Sequence, residues 1–302
     1  MSPVLPKGVW MNREVLLSQF YAFLTVAIWS SAYVYTKVAL LTFSATALGL
    51  LRCGVATCCL MALLTFYRQL AIKWHHIPVF LLSGASGFSL YFIAFNTGSL
   101  TLNPTTASII IALCPIISAL LARMVFKEKL RVSQWLATLT AFSAVLFISL
   151  QEGSLLISRG IIWMLGAAVL LALYNVIQRR MNQQISALRM TAYSFLFGTI
   201  MLLGYVPDAL SELQDAPSGA IALVVYLGLF PGAVAYITWG KALSLAENTG
   251  QVTNWMFLTP CLALSLEYVV TDTYPEKATL AGGVIILTCL LCFLRQKKNH
   301  ER

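Results

Sequence analysis

The chain has 302 residues, of which 59% are hydrophobic and 10% charged, with a formal net charge of +9. Soluble domains carry about 25% charged residues, and a soluble chain of this length could not hide so much apolar surface, so a polytopic protein embedded in a lipid bilayer is expected. Nucleic acid is not an expected partner despite the positive balance, because the basic residues are scattered over short turns and not gathered on one face.

Residues 1–15 are polar, carry Lys7 and Arg13, and lack a small-residue cleavage signal, which reads as a cytoplasmic tail and not a removable leader. Ten apolar spans follow: Leu16–Leu40, Ser44–Phe66, Ile77–Gly98, Thr105–Phe126, Val132–Leu150, Gly160–Arg179, Ala187–Val206, Ser218–Trp239, Gly250–Val270 and Ala278–Leu294. A shift of 145 residues lays Tyr91 on Tyr236, Asn103 on Asn248, Leu113 on Leu258 and Pro115 on Pro260; after three extra residues near Thr271, a shift of 148 lays Glu128-Lys129 on Glu276-Lys277. The expected fold is therefore all-α, with ten transmembrane helices in two five-helix repeats, 16–151 and 159–294, and a second short tail at 295–302. Five spans per copy is odd, so the copies are inverted. With both termini placed in the cytoplasm, most Lys and Arg fall inside, while Glu152, Asp208, Glu212, Asp215, Asp272 and Glu276 gather outside.

The candidate functional residues come in chain order from the spans. Trp29 and Tyr33 are four apart and share a helix face, and Lys37 stands near the outer end, where it can snorkel or join the site. Arg52 lies about 12 Å below the outer surface at 1.5 Å per residue. An ionisable side chain there costs roughly 2.5–3.5 kcal/mol and needs a reason: a fork for an anionic or zwitterionic substrate, or a structural tie to a carbonyl or to Glu267. Tyr91 and Phe95 share a face of the third span, beside Asn96. Tyr174, Asn175 and Gln178 stand on the sixth; Tyr236 and Trp239 on the eighth; Asn254 and Trp255 on the ninth. Trp29, Tyr91, Tyr174 and Asn175 lie deeper than an interfacial belt, so they are expected to line a central cavity.

Pro115 and Pro260, in the middle of matched spans, are expected to kink their helices as flexible points of gates or as static shape elements. Glu267 is a candidate for proton coupling, or a partner neutralising Arg52 or Lys37. The links SLTLNPTT and SLAENTG are short enough to make tight hairpins of spans three and four and of spans eight and nine. Gly228–Gly232 has the GxxxG spacing that packs helices, within one chain or between two copies in a homodimer. The seven cysteines all lie in apolar segments and read as small packing residues; the lone Cys289–Cys292 pair has no companion ligands, so no metal is expected.

No GxxxxGK[ST], GxSxG or HExxH motif occurs, and no cofactor is called for. The segment GSLTLNPTTASIIIALCPIISALLARMVFKEKLRVSQ, with Trp29 to Lys37 in the first span and Arg52 in the second, resembles the EamA type of the drug/metabolite transporter superfamily over about Phe20 to Leu294. The resemblance implies a cavity built from spans 1 to 4 and 6 to 9, with spans 5 and 10 peripheral. It also implies export or exchange of amino acids or other small metabolites by alternating access. The expected protein is a secondary transporter of the bacterial inner membrane, binding a small substrate against Trp29, Tyr91, Phe95, Tyr174 and Asn175 with Arg52 as charge partner. An intramembrane enzyme on lipid-like substrates and a non-transporting membrane scaffold are the rival readings. The enzyme would need paired acids, a His pair or an activated nucleophile at mid-depth, and His75, His76 and His300 all fall outside the spans.

Overall fold

A computed structural model describes residues 13–126, 159–181, 184–245 and 254–272, with single positions between 132 and 143, at 252, and between 277 and 288. Every regular element among the described residues is helical, and seven helical runs are long and apolar enough to cross a membrane. The expected fifth and tenth spans, and the SLAENTG link, lie mostly outside the described residues.

Helix α1 (Arg13–Ala39) has 27 residues, about 40 Å of helix against a hydrocarbon core of about 30 Å. Ser18, Ala22, Thr25 and Val26 form a buried small-residue face, while Leu16, Phe20 and Phe23 are exposed on the other side. Small faces let helices approach closely where no water drives them together, and hydroxyls then bond across the gap. Ser18 Oγ accordingly donates to the Ala242 carbonyl at 2.8 Å, Thr25 and Thr238 hydroxyls pair at 2.7 Å, and Ser31 pairs with Tyr226 at 2.7 Å. Helix α2 (Ala45–Phe66) starts at Ser44, whose Oγ accepts from the Ala47 amide at 3.3 Å, a cap worth about 1 kcal/mol.

The third run is broken by design of its sequence. A 3-10 turn (Trp74–His76) leads into α3 (Ile77–Gly84), a wide π turn (Ala85–Ser89) and α4 (Leu90–Thr101). After α5 (Pro104–Ile111), α6 (Cys114–Phe126), α7 (Arg159–Met181) and α8 (Ala187–Leu202), a 3-10 turn (Leu203–Tyr205) opens into the amphipathic α9 (Val206–Asp215). The expected spans leave 207–217 as the connection between the seventh and the eighth, and Pro207 in the first turn with Asp208 beside it starts a helix there. The chain continues through α10 (Ser218–Leu227), a second π turn (Gly228–Val234), α11 (Ala235–Leu245), a 3-10 turn (Asn254–Leu258) and α12 (Thr259–Thr271).

The two π turns fall at corresponding places: moving 85–89 by 145 residues gives 230–234, inside the second turn. Both sit against a neighbour at backbone distance. A Cβ on Gly84 would stand 2.8 Å from the Gly198 nitrogen and the Ser194 carbonyl, and one on Gly228 would stand 2.8 Å from the Arg52 carbonyl. Gly228 and Gly232 thus pack inside this chain, on Val55 and Ala56 of α2.

The prolines do not kink continuous helices as expected. Pro115 is the second residue of α6, after a break at Ala112–Leu113, and Pro260 is the second residue of α12. The physical reason is that a first-turn residue has no intrahelical acceptor for its N–H, so proline loses nothing there and its fixed φ suits a helix start.

Candidate functional site

At the end of the bundle holding the Leu40–Phe43 and Leu102–Asn103 turns, two charges hold the α4–α5 hairpin. Lys37 Nζ donates to the Ser99 and Leu100 carbonyls, both at 2.8 Å, at the C-terminus of α4. Glu267 Oε2 accepts from the Thr105 amide at 2.9 Å and from the Thr105 hydroxyl, at the N-terminus of α5. Asn103 Oδ1 takes the next amide, Thr106, at 2.7 Å. Cation at a C-terminus and carboxylate at an N-terminus are the favourable pairings with a helix dipole. Glu267 does not pair with Arg52; it is buried as a cap, with Lys37 within reach of its charge. At this same end Ser44 N donates to Glu212 Oε2 at 2.9 Å, and Gly98 meets the Gly160 carbonyl closely enough that a Cβ would be at 3.1 Å.

Deeper in the bundle, Arg52 is 4% exposed. Its Nη1 donates to Thr36 Oγ1 at 3.3 Å, and the guanidinium lies over the Phe92 ring at 4.1 Å. Tyr91, Cys53 and Tyr236 are within reach of its charge. No acidic side chain pairs with it among the described residues, and its Nε has no hydrogen-bond partner. One turn beyond Phe92, fully buried Asn96 donates through Nδ2 to the Ala45 carbonyl at 2.8 Å, leaving Oδ1 without a partner. A free charged donor and a free amide acceptor thus face the same α2–α4 contact, where Gly49 lets α4 come close.

Rings connect this pair to the rest of the expected set. Tyr33 meets Phe95 edge-on at 5.4 Å, Phe95 meets Tyr91 at 5.7 Å, and Tyr91 meets Phe92 at 5.3 Å. Phe88 links Phe92 at 6.2 Å to Tyr236 at 5.9 Å, and Tyr236 touches Trp29 at 5.5 Å, which touches Trp239 at 5.3 Å. Trp29 is oriented by its indole N–H, which donates to the Pro231 carbonyl in the second π turn at 3.3 Å. Tyr236 also lines a cavity of about 410 Å³ at the opposite end of the bundle, with Tyr21, Leu60, Leu188, Thr191 and Lys241.

Two further residues of the expected set stand on α7. Tyr174 is core, wedged against Phe88 at 5.2 Å and against Gly87, whose place would not admit a Cβ. Asn175 is exposed and reaches Cys114 Sγ at 3.4 Å. The Asn254 side chain lies outside the described residues. Phe88, Phe92, Phe195 and Thr36 escaped the sequence reading, which favoured rings with polar handles; the i, i+4 spacing of Phe88 and Phe92 was the available signal.

The chain matches the profile of the EamA-like transporter family twice, over residues 16–150 and 158–295. It is 29% identical to a probable terminal-alkyne amino-acid exporter of Streptantibioticus cattleyicolor, over 92% of this chain and 94% of that one. It is equally 29% identical to the uncharacterized transporter YdfC of Bacillus subtilis, over 96% and 94% of the two chains. An S-adenosylmethionine uptake transporter of Rickettsia prowazekii is 24% identical over 80% of this chain and 79% of its own. A crystal structure shares the fold with a TM-score of 0.62 at 18% identity, over 94% of this chain and 99% of that one. With the profile covering nearly the whole sequence on an all-helical, multi-pass membrane framework, this chain belongs to the EamA-like transporter family and is a transporter, not an enzyme.

Proposed function

We propose that the protein is a secondary transporter that exports or exchanges small zwitterionic metabolites, α-amino acids in particular, by alternating access. The observation that carries the reading is Arg52: a buried guanidinium with no acidic partner among the described residues and a free Nε. A lone charge in a membrane interior is costly, and a carboxylate brought by substrate offsets that cost through a charge-assisted, forked contact. Asn96 Oδ1 is the complementary acceptor for the substrate's ammonium, and the Trp29, Tyr91, Tyr236 and Trp239 rings suit an apolar or aromatic side chain. The name of the exporter relative agrees with this class.

The matching π turns, the 145-residue shift and the doubled family match support ten spans in two inverted five-helix repeats, with repeat boundaries at 16–151 and 159–294. Charge distribution supports both termini in the cytoplasm of a bacterial inner membrane. In that orientation the cavity bounded by Tyr236 opens toward the cytoplasm, and the Lys37 and Glu267 contacts hold the outer side shut. Lys37 and Glu267 would then serve the outer gate, with the breaks before Pro115 and Pro260 as its flexible points. Counterflow into proteoliposomes tests the reading: labelled amino acids exchange in wild type and not in Arg52→Met, whereas absence of exchange for every amino acid tried overturns it.

A further inference from the structure

A second cavity, of about 140 Å³, lies away from the site described above, where the loop after α2 meets the start of α8. Lys73, His76 and Arg189 converge on it over a floor of Ile72, Phe80 and Ile185. Its lining contains no acid, and neither Lys73 nor Arg189 makes an ion pair among the described residues. The pocket is built in advance of any ligand. Arg68 takes a left-handed φ of 53°, turning the chain off the end of α2. Arg189 Nε then donates to the Gln69 carbonyl at 3.1 Å and the Tyr193 hydroxyl to the Leu70 carbonyl, pinning the loop onto α8.

The surroundings set the depth at which this pocket meets the membrane. Phe66, Tyr67, Leu70 and Ile72 are exposed, and Trp74 is 86% exposed. Aromatic and apolar side chains exposed at the end of a spanning helix belong to the interfacial layer, level with lipid headgroups. A cationic rim over an apolar floor at that depth fits a phosphodiester with an attached acyl chain better than a soluble metabolite.

We propose that this pocket binds the phosphate of an anionic lipid headgroup, with Lys73 and Arg189 as its charge partners and the exposed Ile72 against the glycerol and upper acyl chain. The test is retention of phosphatidylglycerol by the purified full-length protein in phosphatidylcholine nanodiscs, read by native mass spectrometry. Wild type retains phosphatidylglycerol selectively. Lys73→Gln, which replaces a side chain without hydrogen bonds among the described residues, lowers its affinity about five-fold, and Lys73→Gln/Arg189→Gln lowers it roughly 30-fold, at about five-fold for each basic side chain near an anionic surface. Arg13→Gln/Arg123→Gln, an equal loss of charge elsewhere, leaves it unchanged. Equal retention by wild type and both pocket variants overturns the proposal. So does binding of millimolar inorganic phosphate, lost in Lys73→Gln, with no preference for phosphatidylglycerol over phosphatidylcholine.

Discussion

Arg52 lays its guanidinium on the Phe92 ring at 4.1 Å and meets no carboxylate among the described residues. A buried charge left with a ring and one hydroxyl is worth more to a ligand than to the fold. Arg52→Met is expected to lower kcat/KM for amino-acid exchange by roughly 100-fold, the scale for truncating one side of a desolvated ion pair, while leaving thermal stability equal or higher. Arg52→Lys keeps the charge without the fork and should fall between the two. Asn96→Leu should lower affinity about ten-fold, and more for substrates with a free ammonium than for their N-acetylated counterparts. A loss of stability in Arg52→Met as large as its loss of transport would make the residue structural.

Glu267 behaves in the opposite way, since its Oε2 is engaged by the amide and hydroxyl of Thr105. Glu267→Gln keeps one acceptor for the Thr105 amide and should cost about 1 kcal/mol, whereas Glu267→Ala strands that amide and should cost about 2–3 kcal/mol. Thermal unfolding in detergent measures both, and intact pH dependence of exchange in Glu267→Gln would separate the cap from a coupling role.

Among the described residues Lys37 donates to carbonyls at the end of α4, so in the proposed orientation Lys37→Met should loosen the outer side. In a variant retaining Cys53 as its sole cysteine, that buried thiol resists a membrane-impermeant maleimide. Adding Lys37→Met should speed its labelling from the outside several-fold, and no change would show that these bonds do not keep the outer side shut.

Gly84 meets backbone and not a movable side chain. Gly84→Ala puts a methyl within 2.8 Å of the Gly198 nitrogen and the Ser194 carbonyl, so α3 and α8 must separate, at a cost of about 1–3 kcal/mol. Gly54→Ala, with nothing near its Cβ position, should be neutral in the same unfolding experiment.

Apolar runs made the multi-pass framework readable, because hydrocarbon demands about 20 apolar residues per crossing whatever the packing. The tight α4–α5 hairpin was readable too, since Asn103 and Pro104 are cap and first-turn residues whatever surrounds them. What escaped depends on partners far along the chain. The π turns arise where Gly84 and Gly228 meet another helix's backbone, and Pro231 gave no hint that the turn widens and does not end. Trp29 and Tyr33 do share an inward face, as the four-residue spacing required. Their destinations, Tyr236 for one and Phe95 for the other, follow from which helix lies opposite. How closely Tyr174 packs likewise depends on Gly87, which makes room for its ring.

The Glu267 cap also orders events at the ribosome. Thr105 and its acceptor are 162 residues apart, so α4 and α5 enter the bilayer with a hairpin whose buried amide has no protein partner until α12 is made. The Thr105 amide gains this acceptor only when α12 has been made, so a contact of the first half waits on the second.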